Sequence, residues 1–260
     1  MTRSTSNSPR WPLVGALVAI AITSTMDLTG LTMFSALPLF PLMFLFWWLQ
    51  RLTRSEIGFA WGRPWHYGLA ILYPLTVLGA AVLIAQGTGA TAVFEIDWQK
   101  LGKNLLLMSL TGPAVLVLTE EGFFRGWLWG SLERTGKSPT TILVWSSIAF
   151  AAWHWSWAIL DSGLDLSVAQ VPVYLTNAAL MGVVWGLLRW ISGSILVASV
   201  SHAVWNAIAY SLFGAGPIAG VLGIENKFLF GAEVGLVGLA LNLAFALVLW
   251  KWWKQRSKQE

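Results

Sequence analysis

LLLMSLTGPAVLVLTEEGFFRGWLWGSL, residues 105–132, is a long apolar stretch that contains charged residues. A helix needs about 20 predominantly apolar residues to cross a bilayer, so the stretch predicts a membrane span. Its charged residues are Glu120, Glu121 and Arg125. A charged side chain at the centre of a bilayer costs about 3 kcal/mol on insertion scales, and such residues mark functional positions. The stretch therefore predicts both a membrane fold and the location of a site within it.

The composition of the whole chain supports a membrane protein. Of its 260 residues, 56% are hydrophobic and 11% are charged, and the mean hydropathy is +0.66. A soluble domain carries about 25% charged residues, so this chain has too few charges for a soluble surface. Intrinsically disordered chains are poor in apolar residues and rich in charge, which excludes that class. The chain has no cysteine, so disulfide frameworks, thiolate metal sites and cysteine nucleophiles are excluded as well.

Eight apolar runs predict an all-α polytopic bundle of about eight transmembrane helices in one membrane domain, residues 1–260. The first two spans form a hairpin within residues 11–50 and turn near Asp27–Gly30. The remaining predicted spans cover residues 67–86, 103–132, 140–159, 170–190, 194–213 and 231–250.

The distribution of Lys and Arg predicts the orientation of the bundle, because cytoplasmic loops carry an excess of these residues. With the N terminus inside, twelve of them lie on the inner side, three on the outer side, and Arg125 lies within a span. The inner residues are Arg3, Arg10, Arg51, Arg54, Arg63, Arg134, Lys137, Arg189, Lys251, Lys254, Arg256 and Lys258, and the outer ones are Lys100, Lys103 and Lys227. Both termini are therefore expected in the cytosol. The chain has no aromatic-basic recognition module, so its net charge of +4 does not indicate nucleic-acid binding.

Helical geometry separates the charges of the fourth span. Glu121 and Arg125 are four residues apart, share one face and can form an ion pair. Glu120 lies about 100° around the helix from Glu121 and points elsewhere. The sequence therefore predicts one neutralised carboxylate and one carboxylate that is available for other work.

Further polar residues lie within the fifth and seventh predicted spans. His154 lies in the fifth span, while His202 and Asn206 lie one turn apart on one face of the seventh. With a rise of 1.5 Å per residue, these residues and Glu120 lie roughly 12–22 Å from the inner ends of their spans. Their common depth predicts one polar cavity, which must hold water to satisfy these groups.

Two kinds of hydrolytic chemistry are compatible with these residues. A Glu in a low-dielectric site suits general-base activation of water, and His or Asn can donate hydrogen bonds to an oxyanion. Alternatively, Glu120, His154 and His202 could bind zinc, which accepts carboxylate oxygen and imidazole nitrogen. The residues alone leave both possibilities open, although the His-Glu-x-x-His pattern of common zinc peptidases is missing from the sequence.

Three short motifs resemble those of the CAAX prenyl protease and bacteriocin-processing family, also called the Abi family of intramembrane proteases. They are EEGFFRG at 120–126, FAAWH at 150–154 and HAVWN at 202–206, and the resemblance covers about residues 110–210. It implies an eight-helix fold with a conical cavity open to the cytosol and the membrane. It also implies a catalytic core over residues 103–213.

The resemblance implies a role for each motif residue. Glu120 is expected to activate water with His154 as its partner, and His202 with Asn206 to stabilise the oxyanion. The supporting residues are expected to be Glu121, Arg125 and Phe150. Members of the family have been described both as metalloproteases and as metal-independent glutamate proteases. Because asparagine is a poor zinc ligand and Glu121 is expected to pair with Arg125, we favour a site that requires no cofactor, with zinc as the alternative.

The expected activity is cleavage of a peptide bond in a membrane-associated peptide or protein terminus, including a lipid-modified one. The resemblance places this activity in a bacterial plasma membrane, with the catalytic cavity towards the cytosolic side. One alternative is a non-catalytic bacteriocin self-immunity or partner-binding membrane protein of the same fold. Another is a transporter or proton relay, since intramembrane Glu and His also serve such paths. The transporter would be expected to show internal repeats or paired broken helices, which the sequence lacks.

Overall fold

The computed structural model describes residues 10–92, 98–160, 166–215 and 218–256, and these ranges are mostly helical. An N-terminal hairpin consists of α1 (Arg10–Leu28) and α2 (Leu39–Gln50), and a short α3 (Arg54–Ile57) follows it. The other helices are α4 (Pro64–Gly87), α5 (Trp98–Leu118), α6 (Trp129–Glu133), α7 (Pro139–Trp153), α8 (Trp155–Ile159), α9 (Gln170–Ser192), α10 (Ile195–Leu212), α11 (Lys227–Phe230) and α12 (Leu236–Arg256).

Seven helical segments of the described chain are long and apolar enough to cross a membrane. They are Arg10–Leu28, Thr32–Gln50, Pro64–Gly87, Leu101–Glu133, Gln170–Ser192, Ile195–Leu212 and Leu236–Arg256. This confirms the predicted all-α polytopic bundle. The turn of the N-terminal hairpin also lies where it was predicted, at Gly30, whose φ of 77° favours glycine.

The fifth predicted span, residues 140–159, is shorter than expected. Ser138 caps the start of α7 by accepting a hydrogen bond from the Thr141 amide, and α7 is an apolar helix of only 15 residues. It ends at His154, after which the chain begins the separate helix α8. Fifteen residues extend about 22 Å, which is less than the roughly 30 Å hydrocarbon core of a bilayer. The break therefore coincides with a predicted site residue.

The fourth predicted span contains a change of helix type. After α5 the chain passes through a π-helical stretch, Gly122–Leu128, whose side chains are all buried, and continues into α6. A side chain at Gly122 would collide with the Val117 carbonyl oxygen and the Met43 side chain, so α2 can approach closely here. Single π-helical turns occur frequently at functional sites, and this one follows Glu120 and Glu121 directly.

One end of the bundle, which we call the basic end, is closed by residues 51–63 and α3. Thr53 and Glu56 form a capping box at the start of α3. Arg134 contacts both oxygens of Glu56, at 2.6 and 2.9 Å, and also donates to the carbonyl oxygen of Gln50. Burial raises the pKa of Glu56, but hydrogen bonds from Arg134 and Thr53 outweigh burial, and the pKa falls to about 2. Arg189 donates to the carbonyl oxygen of Glu56 and joins α9 to this end.

The other end, which we call the distal end, contains the connection between α1 and α2 and the chain between α10 and α12. The latter includes a two-stranded antiparallel hairpin, β1 (Gly214–Ala215) with β2 (Ile218–Ala219). Buried amides anchor the chain just before α12. The Asn177 amide donates to the carbonyl oxygens of Ala232 and Glu233, at 3.1 and 2.9 Å, and Asn242 donates to Asn177 at 2.8 Å.

Candidate active site

A cavity of about 650 Å³ lies inside the bundle, between α5, α7, α9 and α10. Glu120, Phe150, His154, His202 and Asn206 all line it. The structure therefore brings together the four residues that the sequence predicts as catalytic, although they come from three separate segments of the chain. Phe150, which the sequence predicts as a supporting residue, also lies in the wall.

Glu121 and Arg125 do not line the cavity and are fully buried beneath it. Their side chains form the predicted ion pair, with Arg125 Nη1 3.2 Å from Glu121 Oε1. Arg125 also donates to the Gly182 carbonyl oxygen at 3.2 Å, and its guanidinium lies 4.3 Å from the centre of the Phe150 ring. The pair consequently ties the π-helical stretch to α9 and α7.

His202 lies between the two carboxylates of the fourth span. Its Nδ1 is 2.9 Å from Glu121 Oε1, and its Nε2 is 3.9 Å from Glu120 Oε2. An ionised carboxylate can only accept hydrogen bonds, so Nδ1 donates to Glu121. Trp185 stacks on the His202 ring at a centroid distance of 3.7 Å and holds its plane. Glu121 therefore has two partners, of which the sequence predicted only Arg125.

His154 is positioned by the residue four places before it. Its Nδ1 is 2.9 Å from the Phe150 carbonyl oxygen, which can only accept, so Nδ1 donates and Nε2 is left for other partners. The rings of Phe150, Trp153 and Tyr174 surround the imidazole, with centroid distances of 4.5, 4.7 and 6.0 Å. Phe150 thus orients His154 with its backbone and packs against Arg125 with its ring.

Glu120 and Asn206 keep their polar atoms available in the cavity. The Glu120 side chain is 15% exposed, and its nearest ionic partner in the described chain is His202. Asn206 lies one turn beyond His202 on α10, and its amide makes no hydrogen bond to a described residue. These two groups can bind a water molecule or a substrate without first breaking an internal hydrogen bond.

The arrangement does not fit a zinc ion as it stands. Within residues 10–92, 98–160, 166–215 and 218–256, no three His, Asp or Glu side chains are placed to hold a metal together. The Nε2 of His202 and the Oε2 of Glu120 are 3.9 Å apart, and Nδ1 of His202 is bonded to Glu121. Two ligand atoms of a tetrahedral zinc ion with bonds of about 2.0–2.2 Å lie about 3.3–3.6 Å apart, so His202 and Glu120 are near this spacing, and the third ligand is what the described residues do not supply.

Glu233 is a cavity residue that the sequence analysis missed. It lies between α11 and α12, and its Oε1 accepts a hydrogen bond from the Trp205 indole at 2.8 Å. Two tyrosines, Tyr174 and Tyr210, also line the cavity. No sequence signal identifies Glu233, because it belongs to none of the three motifs and reaches the cavity only through the fold of the loop before α12.

The cavity opens at the distal end of the bundle. Its outer wall includes residues of the connection between α1 and α2, such as Met33, and residues from the middle of α5 onward, such as Met108 and Val115. At the basic end, Phe123, Phe124 and Trp127 fill the interior and are at most 1% exposed. The sequence analysis expected the basic end and the cavity on the same cytosolic side. In the structure the cavity wall includes distal residues, and large aromatic side chains of the π-helical stretch fill the basic end. The side of the membrane towards which the cavity faces stays a prediction.

Together, the fold and the site define a polytopic membrane protein with a carboxylate, two imidazoles and a carboxamide around an internal cavity. Residues 102–208 match the family model described as type II CAAX prenyl endopeptidase Rce1-like. The match includes all three motifs and confirms the family resemblance drawn from them. It supports protease activity on a peptide or protein substrate and, with the seven apolar helices, an integral membrane location. No curated protein and no solved structure matches the chain.

Proposed function

We propose that this chain is an intramembrane endopeptidase that cleaves a membrane-associated peptide or protein terminus with a water molecule activated by Glu120. The observation that carries the proposal is the convergence of Glu120, His154, His202 and Asn206 on one cavity. Residues 103–213 supply all four, and we propose this segment as the catalytic core.

The first chemical step uses the two groups that can hold water. Water binds between the Glu120 carboxylate and Nε2 of His154, which is free because Nδ1 donates to Phe150. Glu120 accepts a proton while the water oxygen forms a bond to the carbonyl carbon of the peptide. Because the cavity is surrounded by protein and lipid, the positioned carboxylate acts in a medium of low dielectric constant.

The second step requires stabilisation of the negative charge that develops on the carbonyl oxygen. The amide of Asn206 donates to this oxygen, and His202 donates from Nε2 when both its ring nitrogens carry protons. Glu121 then offsets the positive charge on the imidazole, at 2.9 Å from Nδ1. When the intermediate collapses, the carbon–nitrogen bond breaks and Glu120 returns its proton to the leaving amine.

We propose that this mechanism requires no cofactor, because asparagine is a poor zinc ligand, Glu121 is paired with Arg125, and no three His, Asp or Glu side chains of the described residues are placed to hold a metal together. The test is to measure bound zinc by elemental analysis, together with the activity of protein treated with a strong chelator. Full activity in metal-free protein is expected. Loss of activity on chelation that zinc restores would favour the metal-dependent alternative.

The proposed location is a bacterial plasma membrane, with the basic end in the cytosol and membrane lipids around the apolar helices. The proposed substrates are peptides or protein termini that reach the cavity from the membrane, including lipid-modified ones. The exposed apolar residues near the cavity mouth, Met33 and Val115, support entry from the lipid phase.

The proposal is tested with purified protein and a set of membrane-anchored reporter peptides. Glu120→Gln keeps the size of the side chain but removes the base, and we expect cleavage to fall by about 10²–10⁴-fold. Glu133→Gln is the matched control, since its side chain lies at the basic end and a glutamine can still accept the hydrogen bond from Trp129. Equal cleavage by both variants would contradict the role of Glu120. A cellular phenotype that survives Glu120→Gln would instead support a non-catalytic immunity or partner-binding role.

A further inference from the structure

Buried polar side chains fix the backbone at Glu233, which lies between α11 and α12. The Asn177 amide donates to the carbonyl oxygens of Ala232 and Glu233. Asn242 donates to Asn177 at 2.8 Å, and the Tyr73 hydroxyl donates to Asn242 at 2.6 Å. The side chains of Asn177, Asn242 and Tyr73 are fully buried. Three helices, α9, α12 and α4, therefore contribute to the position of this one loop residue.

The carboxylate of Glu233 is held separately from its backbone. Its Oε1 accepts a hydrogen bond from the Trp205 indole at 2.8 Å. The Trp205 ring is fully buried and stacks on Tyr73 at a centroid distance of 5.2 Å, so the network closes on itself. Replacement of both partners of a buried hydrogen bond by apolar groups of the same shape can be neutral or stabilising, so stability alone does not account for this network. Its effect is to fix one carboxylate in the cavity wall.

The Glu233 carboxylate has no cationic partner among the described residues. It forms no ion pair with any of them, and no described lysine or arginine lines the internal cavity. Lys227 lines an adjoining space of about 730 Å³, which we call the vestibule, but its side chain is exposed. Burial raises the pKa of Glu233, and the hydrogen bond from Trp205 offsets only part of this rise. A bound cation would supply the missing compensation for the ionised carboxylate.

Aromatic rings line the same part of the cavity. Trp157 and Tyr210 line both the internal cavity and the vestibule, as Glu233 does, and Tyr174 lines the internal cavity. The rings of Trp157 and Tyr174 are in edge contact, with a centroid distance of 6.4 Å. Aromatic faces attract cations, the apolar stems of lysine and arginine pack on apolar surfaces, and a carboxylate binds the charged head. The wall around Glu233 therefore has the chemistry of a site for a basic side chain.

This part of the wall lies close to a group proposed to act on the peptide bond. Trp205, which binds Glu233, directly precedes Asn206 on α10, and Tyr210 follows Asn206 by one turn. Four residues of a helix rise about 6 Å. Because an extended peptide covers about 3.3 Å per residue, a basic side chain within about three residues of the scissile bond can reach Glu233.

We infer that Glu233 is a specificity-determining residue, which binds a lysine or arginine side chain of the substrate near the scissile bond. The cleavage of such a substrate rests on the proposed function, whereas the binding of its cation rests on the surroundings of Glu233. The cationic head donates to Oε2 of Glu233 while Trp205 continues to donate to Oε1. A neutral residue at the same place leaves the carboxylate uncompensated, so we expect a preference of about 10–100-fold for the basic side chain.

The test uses dodecanoyl-capped peptides that carry a single lysine, each paired with the same peptide in which that lysine is acetylated. Acetylation removes the charge, and the shared lipid anchor cancels from the comparison. The lysine is moved through successive positions of the peptide. Binding is measured by calorimetry in detergent micelles with full-length Glu120→Gln protein, which lacks the proposed base and the other cavity carboxylate. We expect the free lysine to bind about 10–100-fold more tightly than its acetylated form at one or more positions.

Substitutions at Glu233 identify the carboxylate responsible for this preference. Glu233→Gln should abolish the preference, and it should fold because glutamine can still accept the hydrogen bond from Trp205. Glu233→Asp keeps the charge and should retain part of the preference, which a merely structural role would not explain. Glu225→Gln is the matched control, since Glu225 lines the vestibule with an exposed side chain, and it should keep the full preference. Equal binding of both peptide forms at every position, or a preference that survives Glu233→Gln, would overturn the inference.

Cleavage of the same peptides separates this inference from the proposed function. In the wild-type chain, kcat/KM for the lysine peptide should exceed that for the acetylated peptide, and Glu233→Gln should bring the ratio close to one. If cleavage depends on Glu120 but shows no preference for lysine, the inference fails while the proposed function stands. If lysine peptides bind through Glu233 but the wild-type chain cleaves none of them more than Glu120→Gln does, the proposed function fails while the binding site stands.

Discussion

Replacing Glu121 by Gln removes the negative charge that neutralises Arg125 in the interior of the bundle. Both side chains are 0% exposed, and the charged atoms are 3.2 Å apart. At this distance and an effective dielectric constant near 20, the attraction amounts to about 5 kcal/mol. Removal of one partner of a buried pair costs about 3–5 kcal/mol, because an uncompensated charge remains. The contacts of Arg125 with Gly182 and the Phe150 ring stay in place and offset part of this loss.

Glu120→Gln is the matched control for this effect, because it changes the adjacent residue in the same chemical way. Glu120 has no hydrogen bond to the described chain, and its charge lies 3.9 Å from His202. We therefore expect Glu121→Gln to lower the free energy of unfolding by about 3–5 kcal/mol. Glu120→Gln is expected to leave stability nearly unchanged while it abolishes cleavage.

The measurement is unfolding in detergent micelles, by heat and by denaturant, for the wild-type chain and both variants. Cleavage of the reporter peptides is measured in parallel, at a temperature where each variant is folded. The reasoning is refuted if Glu121→Gln unfolds at the same midpoint as the wild-type chain, or if Glu120→Gln is destabilised as strongly. Either result would mean that the ion pair does not support the fold as its burial indicates.

Three further predictions concern the two ends and the π-helical stretch. The lowered pKa of Glu56 stabilises the folded chain above its ordinary pKa near 4.5, and this contribution of about 1 kcal/mol is lost as the pH falls towards 2. In Glu56→Gln the unfolding midpoint should therefore depend less on pH between these values than in the wild-type chain. The same pH dependence in both proteins would argue against this role of Glu56. Asn177→Ala should lower the free energy of unfolding by about 1–3 kcal/mol, because the buried carbonyl oxygens of Ala232 and Glu233 lose their donor. Backbone hydrogen exchange should also become faster around Glu233, and unchanged protection there would contradict the anchoring role. Gly122→Ala should lower the free energy of unfolding by about 1–3 kcal/mol through overpacking against α2. Gly102→Ala, which has open space around it, should change the unfolding midpoint little. Equal unfolding midpoints for the two variants would refute the close approach of α2 at Gly122.

Local patterns in the sequence were sufficient for several features of the site. The ion pair between Glu121 and Arg125 follows from helical spacing, since residues four apart share a face. His154 and Phe150 have the same spacing, and the hydrogen bond from the His154 ring to the Phe150 carbonyl oxygen joins the first and last residues of the F-x-x-x-H motif. The transmembrane segments are predictable because apolar length alone determines whether a helix can cross a bilayer.

Other features depend on residues that are far apart in the chain. His202 and Glu121 are separated by 81 positions, and their hydrogen bond exists only because α10 packs beside the fourth span. Glu233 reaches the cavity because Asn177 holds the backbone before α12 and Trp205 holds its carboxylate. No periodicity or motif encodes such contacts, since they arise from the packing of separate helices.

By itself, the sequence determined the membrane class, the approximate spans, the basic face and the set of candidate site residues, because these follow from composition and local spacing. Only the tertiary structure decided which partners those residues have and where the cavity opens. The aromatic side chains of the π-helical stretch face inward and fill the basic end, whereas the connection between α1 and α2 leaves the distal side open. The direction of a cavity depends on how helices pack against one another, and that packing cannot be read from any one helix.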